Sequence, residues 1–209
     1  MSKMELLDGN RNGRILVVDD NEGIHGDFDK VLYNPDRTEP SARLDEAAAS
    51  LFGEERRERL QTNFQVTHAR QGEEAFDLVL KSLRERTPYA LAFVDVRMPP
   101  GWDGLRTIEH IWGHDTEIEI VLCTAYADYS WDEIAMRLPH ADRLLILRKP
   151  FDPLEVRQLA YGLTAKWLLR RQVTCRMQDL KHMVVQRMRD IEAMRSRIAE
   201  AAKQRGISP

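Results

Sequence analysis

The sequence predicts a doubly wound parallel α/β sheet followed by one long helix, and three observations predict it. Short apolar runs rich in β-branched residues recur up to Lys149, and each ends at a polar residue. Between them lie segments whose apolar residues repeat at helical spacing, so strand and helix alternate as a parallel sheet requires. From Val173 onward that alternation gives way to an apolar heptad.

The elements follow in order. Arg14-Ile15-Leu16-Val17-Val18 is a buried-type strand that delivers Asp19 and Asp20 side by side, and Asn21 to Leu32 can form the first helix. Residues 33–63 are too long for an ordinary connection. They open on turn formers, Asn34-Pro35-Asp36, and later carry Leu44, Ala47, Ala48, Leu51 and Phe52 at helical spacing before Gly53. A short amphipathic helix on an inserted excursion is expected there, covering part of the domain or meeting a partner.

Phe64 to His68 alternates and reads as a strand near the sheet edge; Gln71 to Arg86 is a helix with Ala75, Leu78, Val79 and Leu83 on one face. The run from Tyr89 to Val94 carries no charge and ends at Asp95. Pro99, Pro100, Gly101 and Gly104 then stop it, since proline cannot donate to a ladder and glycine turns freely. A helix from Leu105 to Trp112 leads into Glu119 to Cys123, which ends at Thr124. Ser130 or Asp132 can cap a helix to about Leu138. The last strand, Leu144 to Leu147, ends at Arg148-Lys149-Pro150, and a final helix opens at Pro153, a favoured first-turn proline.

The totals set bounds. Of 209 residues 43% are hydrophobic, enough for a real core. No stretch approaches a membrane span, and Met1 to Asn10 lacks a secretory apolar segment. With only Cys123 and Cys175, neither a disulfide nor a cysteine metal site is expected, so a cytoplasmic location is the default. The net charge of −3 hides an asymmetry: from Leu163 onward eleven Lys and Arg face four Asp and Glu. An acidic body is followed by a basic tail.

The strand tips carry Asp19 and Asp20, Asp95, Thr124 and Lys149. Ligands of open α/β sheets bind at the carboxyl ends of the strands. An isolated strand-end aspartate would ordinarily cap the next turn; it is the company at the other tips that sets Asp95 apart. Carboxylates gathered at one sheet edge repel, and a divalent cation relieves the conflict. An all-oxygen site that keeps waters suits Mg²⁺. Thr124 can donate a hydrogen bond to an oxyanion and Lys149 can neutralise its charge. Asp95 is then the natural nucleophile for a phosphoryl group.

The set Val17-Val18-Asp19-Asp20, Val94-Asp95 with Met98-Pro99, Thr124-Ala125 and Lys149-Pro150-Phe151 resembles the receiver domain of two-component response regulators, over about residues 13–162. The resemblance implies a five-stranded flavodoxin-like fold in which Asp95 accepts phosphate from a histidine kinase. It implies that Asp20, Asp95 and the backbone carbonyl of Arg97 ligate Mg²⁺, with Asp19 acting through water, and that the Lys149-Pro150 bond is cis. It implies too that Arg97 and Tyr126 tune water access to the phosphate.

Two departures stand out. The loop after Asp95 is one residue longer than is usual in that family, with Pro100-Gly101-Trp102 before Asp103-Gly104. The aromatic that family usually carries three residues before the lysine is Ile146 here, with Tyr126 and Tyr129 as nearby substitutes.

In the tail, Val173, Met177, Leu180, Val184, Ile191, Met194, Ile198 and Ala201 alternate in steps of four and three, with Arg187 the one polar exception. Val184, Ile191 and Ile198 share one seam position, where β-branched residues favour parallel dimers. A coiled-coil helix over 163–205, roughly 60 Å long at the usual rise, is expected to form a parallel homodimer through 173–201. Receivers resembling this one often precede a diguanylate cyclase or histidine-kinase catalytic domain; such an output domain is absent from this chain.

Other readings have less to stand on. The basic helix could contact nucleic acid, but its charges are spread along the seam and no reading helix follows. A binding-only adaptor remains an alternative. A haloacid-dehalogenase-like phosphatase would place its nucleophile after the first strand, but wants two aspartates separated by one residue, and here Asp19 and Asp20 are adjacent. His110 and His114 lie four apart without an evident third ligand, and His182 lacks phosphotransfer surroundings.

Overall fold

The computed structural model describes residues 12–32, 64–125, 131–138 and 140–204. The expected excursion helix from Leu44 to Phe52 lies outside the described residues, as do Tyr126, Tyr129 and Ser130. The elements are β1 (Arg14–Val18), α1 (Glu22–Leu32), β2 (Gln65–Ala69), α2 (Gly72–Arg84), β3 (Leu91–Asp95), α3 (Gly104–Trp112), β4 (Glu119–Thr124), α4 (Trp131–Arg137), β5 (Leu144–Arg148) and α5 (Pro153–Gln204). A 3-10 turn at Ala141–Arg143 precedes β5.

The five strands form one parallel sheet in the order β2-β1-β3-β4-β5. This is the flavodoxin-like order, and its direction of winding reverses between β1 and β3. Alternate residues of each strand face opposite helix layers. Leu16, Val18, Ala92, Val94, Ile120 and Leu122 pack with α2, α3 and α4 residues such as Val79, Ile108 and Ile134. Ile15, Val17, Phe93, Val121 and Cys123 face the other way, onto Phe28 of α1 and Val156, Ala160 and Leu163 of α5. The strands of the middle are therefore apolar on both faces, which is why their sequences read as unbroken runs rather than alternations.

Boundaries differ from the sequence reading in small ways. The strand expected at 64–68 runs from Gln65 to Ala69, because Gln65 N–H joins the ladder at Gly13 O (2.8 Å), so His68 lies inside β2 rather than at its tip. Helix α2 stops at Arg84 rather than Arg86, where Arg86 takes a left-handed φ of 59° and turns the chain. Asp132 lies in the first turn of α4, not at its cap. Helix α3 begins at Gly104, and the Asp103 side chain accepts a hydrogen bond of 2.7 Å from Arg106 N–H, a cap that contributes about 1 kcal/mol.

The chain separates into two compact units, Met1–Leu168 and Leu169–Pro209. In the first, α5 buries Val156, Ala160, Leu163, Thr164 and Trp167, spaced so that one stripe meets the core. In the second, the described residues belong to α5 alone. Val173, Met177, Leu180, Val184, Ile191 and Met194 are each more than half exposed there. Among the described residues no helix is long and apolar enough to cross a membrane.

Candidate functional site

The carboxyl ends of β1, β3 and β5 bring three of the polar strand-tip residues together. Asp95 is the last residue of β3 and Asp19 follows β1 directly; both side chains are at least nine-tenths buried. Lys149, just past β5, reaches back between them, with Nζ 2.6 Å from Asp19 Oδ2 and 2.6 Å from Asp95 Oδ1. The Lys149-Pro150 peptide is cis, as the resemblance implied, and Pro99-Pro100 is cis as well. Carboxylate oxygens of Asp19, Asp20 and Asp95 all lie within 4.8 Å of one another, with Asp20 exposed. Among the described residues this is the one such group of three acidic, histidine or cysteine side chains.

Each carboxylate is held by backbone as well. Asp95 Oδ2 accepts from Arg97 N–H at 3.1 Å, and Asp19 Oδ1 accepts from Asn21 N–H at 2.9 Å. Asp19 N–H in turn donates to Ala69 O at 3.1 Å, tying the pair of aspartates to β2. Thr124 ends β4 and is partly exposed; its hydroxyl donates to Ala125 O at 2.8 Å. Its carbonyl accepts from Lys149 N–H, also at 2.8 Å, so the hydroxyl-bearing and amine-bearing residues share a backbone link. Ile146 is 37% exposed on the edge strand β5.

The electrostatics follow from this geometry. Burial pushes the Asp95 carboxyl above the usual carboxylate range. The Lys149 hydrogen bond and charge pull it down, Asp19 pushes it up, and the balance stays upward. For Lys149 burial works against the charge, but the bonds to Asp19 and Asp95 outweigh it and hold the ammonium above its ordinary value. Cys123, level with Asp95 on β4, is fully buried, and that burial raises its thiol well beyond the usual range.

The loop after Asp95 is packed against the strand it leaves. Gly104 N–H donates to Val96 O at 2.9 Å, and a Cβ on Gly104 would stand 2.2 Å from Asp95 O. Only a residue without a side chain fits that approach. The extra length of the loop is taken up against α2. Trp102 N–H points to Glu73 Oε2 (3.4 Å), Gln71 Nε2 donates to Pro99 O (3.4 Å), and the Trp102 ring lies on His110 at 4.1 Å between centroids. His110 and His114 each bond through Nδ1 to the carbonyl four residues earlier, at 2.8 and 3.2 Å.

Two residues near the site carried no signal in the sequence. His25 on α1 and His68 on β2 contact one another, and His25 reaches the main-chain oxygen of Asp19. His25 lies on a helix, and His68, read as the end of its strand, lies inside β2; neither was singled out for a role at the site.

Comparison with known proteins agrees with this arrangement. The family model described as "Response regulator receiver domain" matches residues 44–161. The matched segment leaves out β1 and α1, yet the sheet places β1 between β2 and β3. No curated protein matches the chain.

Similar solved structures include a two component transcriptional regulator AraC from Clostridium phytofermentans ISDg, at 20% identity and TM-score 0.51 over 76% of this chain and 97% of that one. An adenylate cyclase from Rhodopirellula baltica is similar at 22% identity and TM-score 0.51, over 81% and 98% of the two chains. An uncharacterized protein from Neptuniibacter caesariensis reaches TM-score 0.53 at 18% identity, over 78% and 96%. At such identities these neighbours attest the fold. With the family model spanning more than half its length, the chain belongs to the response regulator receiver family and to two-component phosphorelay signalling.

Proposed function

We propose that Asp95 accepts a phosphoryl group from a histidine kinase in a Mg²⁺-dependent step, and that the change is passed on through a dimeric α5. The observation that carries this reading is the Lys149 ammonium set 2.6 Å from both Asp19 and Asp95 at the sheet edge. Asp95 attacks the phosphorus with one carboxylate oxygen, and the donor imidazole nitrogen leaves with the electron pair of the broken P–N bond. Phosphoryl transfer of this kind is largely positioning and charge neutralisation. Lys149 supplies positive charge to the transferred group's oxygens, and Thr124 supplies a hydroxyl that can turn from Ala125 O toward them.

The donor set fits a hard divalent cation. Three carboxylates with oxygens within 4.8 Å, one of them exposed to solvent, match an ion that takes oxygen ligands and keeps waters. Asp20, Asp95 and the carbonyl of Arg97 would hold Mg²⁺, with Asp19 through water. The ion would neutralise charge on the phosphoryl oxygens. Arg97 is exposed and next to Asp95, where its side chain can restrict hydrolytic water.

For transmission, the division is a receiver over 13–162, with its excursion at 33–63, and a signalling helix over 163–205. The exposed heptad residues of α5 support a parallel homodimer, because an apolar stripe of that length is costly in water and each copy offers the same stripe. The target is a C-terminal output domain or a separate partner, and a cytoplasmic setting suits a kinase donor. Labelling with acetyl phosphate and Mg²⁺ tests the central step: wild-type protein should gain an acid-stable, base-labile phosphate, and Asp95→Asn should gain none. Equal labelling of both would overturn it.

A further inference from the structure

We infer that His25 is a positioning residue for the cation site, acting on the Asp19-Asp20 peptide through a relay of two histidines and Asp29. The inference rests on the Mg²⁺ reading above. Three contacts of 2.8 Å make the relay: His25 Nε2 to Asp19 O, His25 Nδ1 to His68 Nδ1, and His68 Nε2 to Asp29 Oδ1. The rings meet edge to face, with centroids 4.6 Å apart.

The acceptors at the two ends orient the outer nitrogens of the relay. A carbonyl oxygen only accepts, so His25 Nε2 carries a hydrogen. The Asp29 carboxylate likewise accepts from His68 Nε2. The two Nδ1 atoms then face each other at 2.8 Å.

The consequence lies at Asp19. Its N–H donates to Ala69 O, its Oδ1 accepts from Asn21 N–H, and its Oδ2 accepts from Lys149. The carbonyl is the remaining polar group, and His25 holds it. Fixing that oxygen fixes the plane of the peptide leading into Asp20, which is exposed. His25 itself is only 7% exposed, so its ring cannot swing away into water without opening α1 from the sheet.

The test reads cation binding directly. Mn²⁺ shares the oxygen preference of Mg²⁺, and its free form is counted by electron paramagnetic resonance. On the full chain, His25→Leu should weaken Mn²⁺ binding about tenfold, the low end of what partners of metal ligands contribute. His25→Gln keeps an N–H near the position of Nε2 and should recover binding to within about twofold. His68→Leu, at a partly exposed site where folding is less at stake, should weaken binding about threefold by freeing His25.

Wild-type affinity in His25→Leu overturns the inference, as does a His25→Gln protein no better than His25→Leu. If His25→Leu does not fold, an unchanged affinity in His68→Leu overturns it instead. Wild-type protein that binds no Mn²⁺ overturns it together with the metal reading. Labelling that persists in Asp95→Asn, with the histidine effects on Mn²⁺ intact, would sink the phosphoacceptor assignment and leave this inference standing.

Discussion

Gly104→Ala is a change of one methyl group that should be felt both in stability and at Asp95. An added Cβ would lie 2.2 Å from Asp95 O and 3.0 Å from Asp95 C and from Val96 Cα. Ordinary contacts of a Cβ are 3.4 Å or longer, so strand end and loop must separate by about 1 Å. Backbone on both sides leaves no flexible side chain to give way. Overpacking of this sort costs about 2–3 kcal/mol, and the Gly104 N–H bond to Val96 O at 2.9 Å would stretch with it. At the carboxylate proposed to accept the phosphoryl group, a displacement of that size should slow labelling roughly 100-fold.

The protein contains its own control. Gly162, in the interior of α5, is exposed and has nothing within 4 Å of an added Cβ. There alanine should stabilise by about 0.5–1 kcal/mol, because a helical glycine only adds entropy to the unfolded chain. Urea unfolding and the initial rate of acetyl-phosphate labelling, measured on both variants, decide the matter. A Gly104→Ala protein with wild-type stability and labelling would refute the reasoning from close approach.

Further outcomes follow from the same geometry. Asp95→Asn removes a carboxylate that burial disfavours. Since its folded pKa lies above the unfolded value of 3.8, the penalty grows as pH rises through the folded pKa, so the variant should be the more stable at pH 7. That gain should fade on acidification, and thermal melts across pH check it. Lys149 has the opposite lesson: its raised pKa stabilises below the ordinary lysine range and the contribution is lost as pH climbs through the folded value, so Lys149→Met should blunt alkaline unfolding. Lys166→Met leaves Glu119, 0% exposed and bonded to Lys166 Nζ at 2.8 Å, without that cation. It should cost about 3 kcal/mol, the lower end for breaking a buried pair because Lys166 is a third exposed, and Glu119→Gln in the same chain should recover most of it. Val184→Asp with Ile191→Asp places charge on the α5 stripe and should leave the full chain monomeric in sedimentation equilibrium, if the stripe is a dimer seam.

Much of the fold was legible because of its layering. Central strands covered on both faces must be apolar at every position, and that made β1, β3 and β4 readable as runs and put Asp19, Asp95 and Thr124 at their ends. Strand β2 was less legible. At the edge its burial is partial, so its boundary slipped by one residue and His68 was taken as the end of the strand. The continuity of α5 through Gly162 has a local reason: no second breaker accompanies that glycine, and one helical glycine costs too little to end a helix.

What the chain's sequence by itself determined was the alternation of strands and helices and the chemical type at each strand tip, since both depend on local pattern and on hydrophobic periodicity. What only the tertiary structure decided was distance. That Lys149 lies between two carboxylates 130 and 54 positions earlier, that Gly104 touches the carbonyl of Asp95, and that His25 and His68 meet behind Asp19 are products of parallel strand order and close packing. Local pattern tells which face a residue occupies; contacts between residues far apart in the chain are set by how the layers close on one another, and no short window of sequence holds that information.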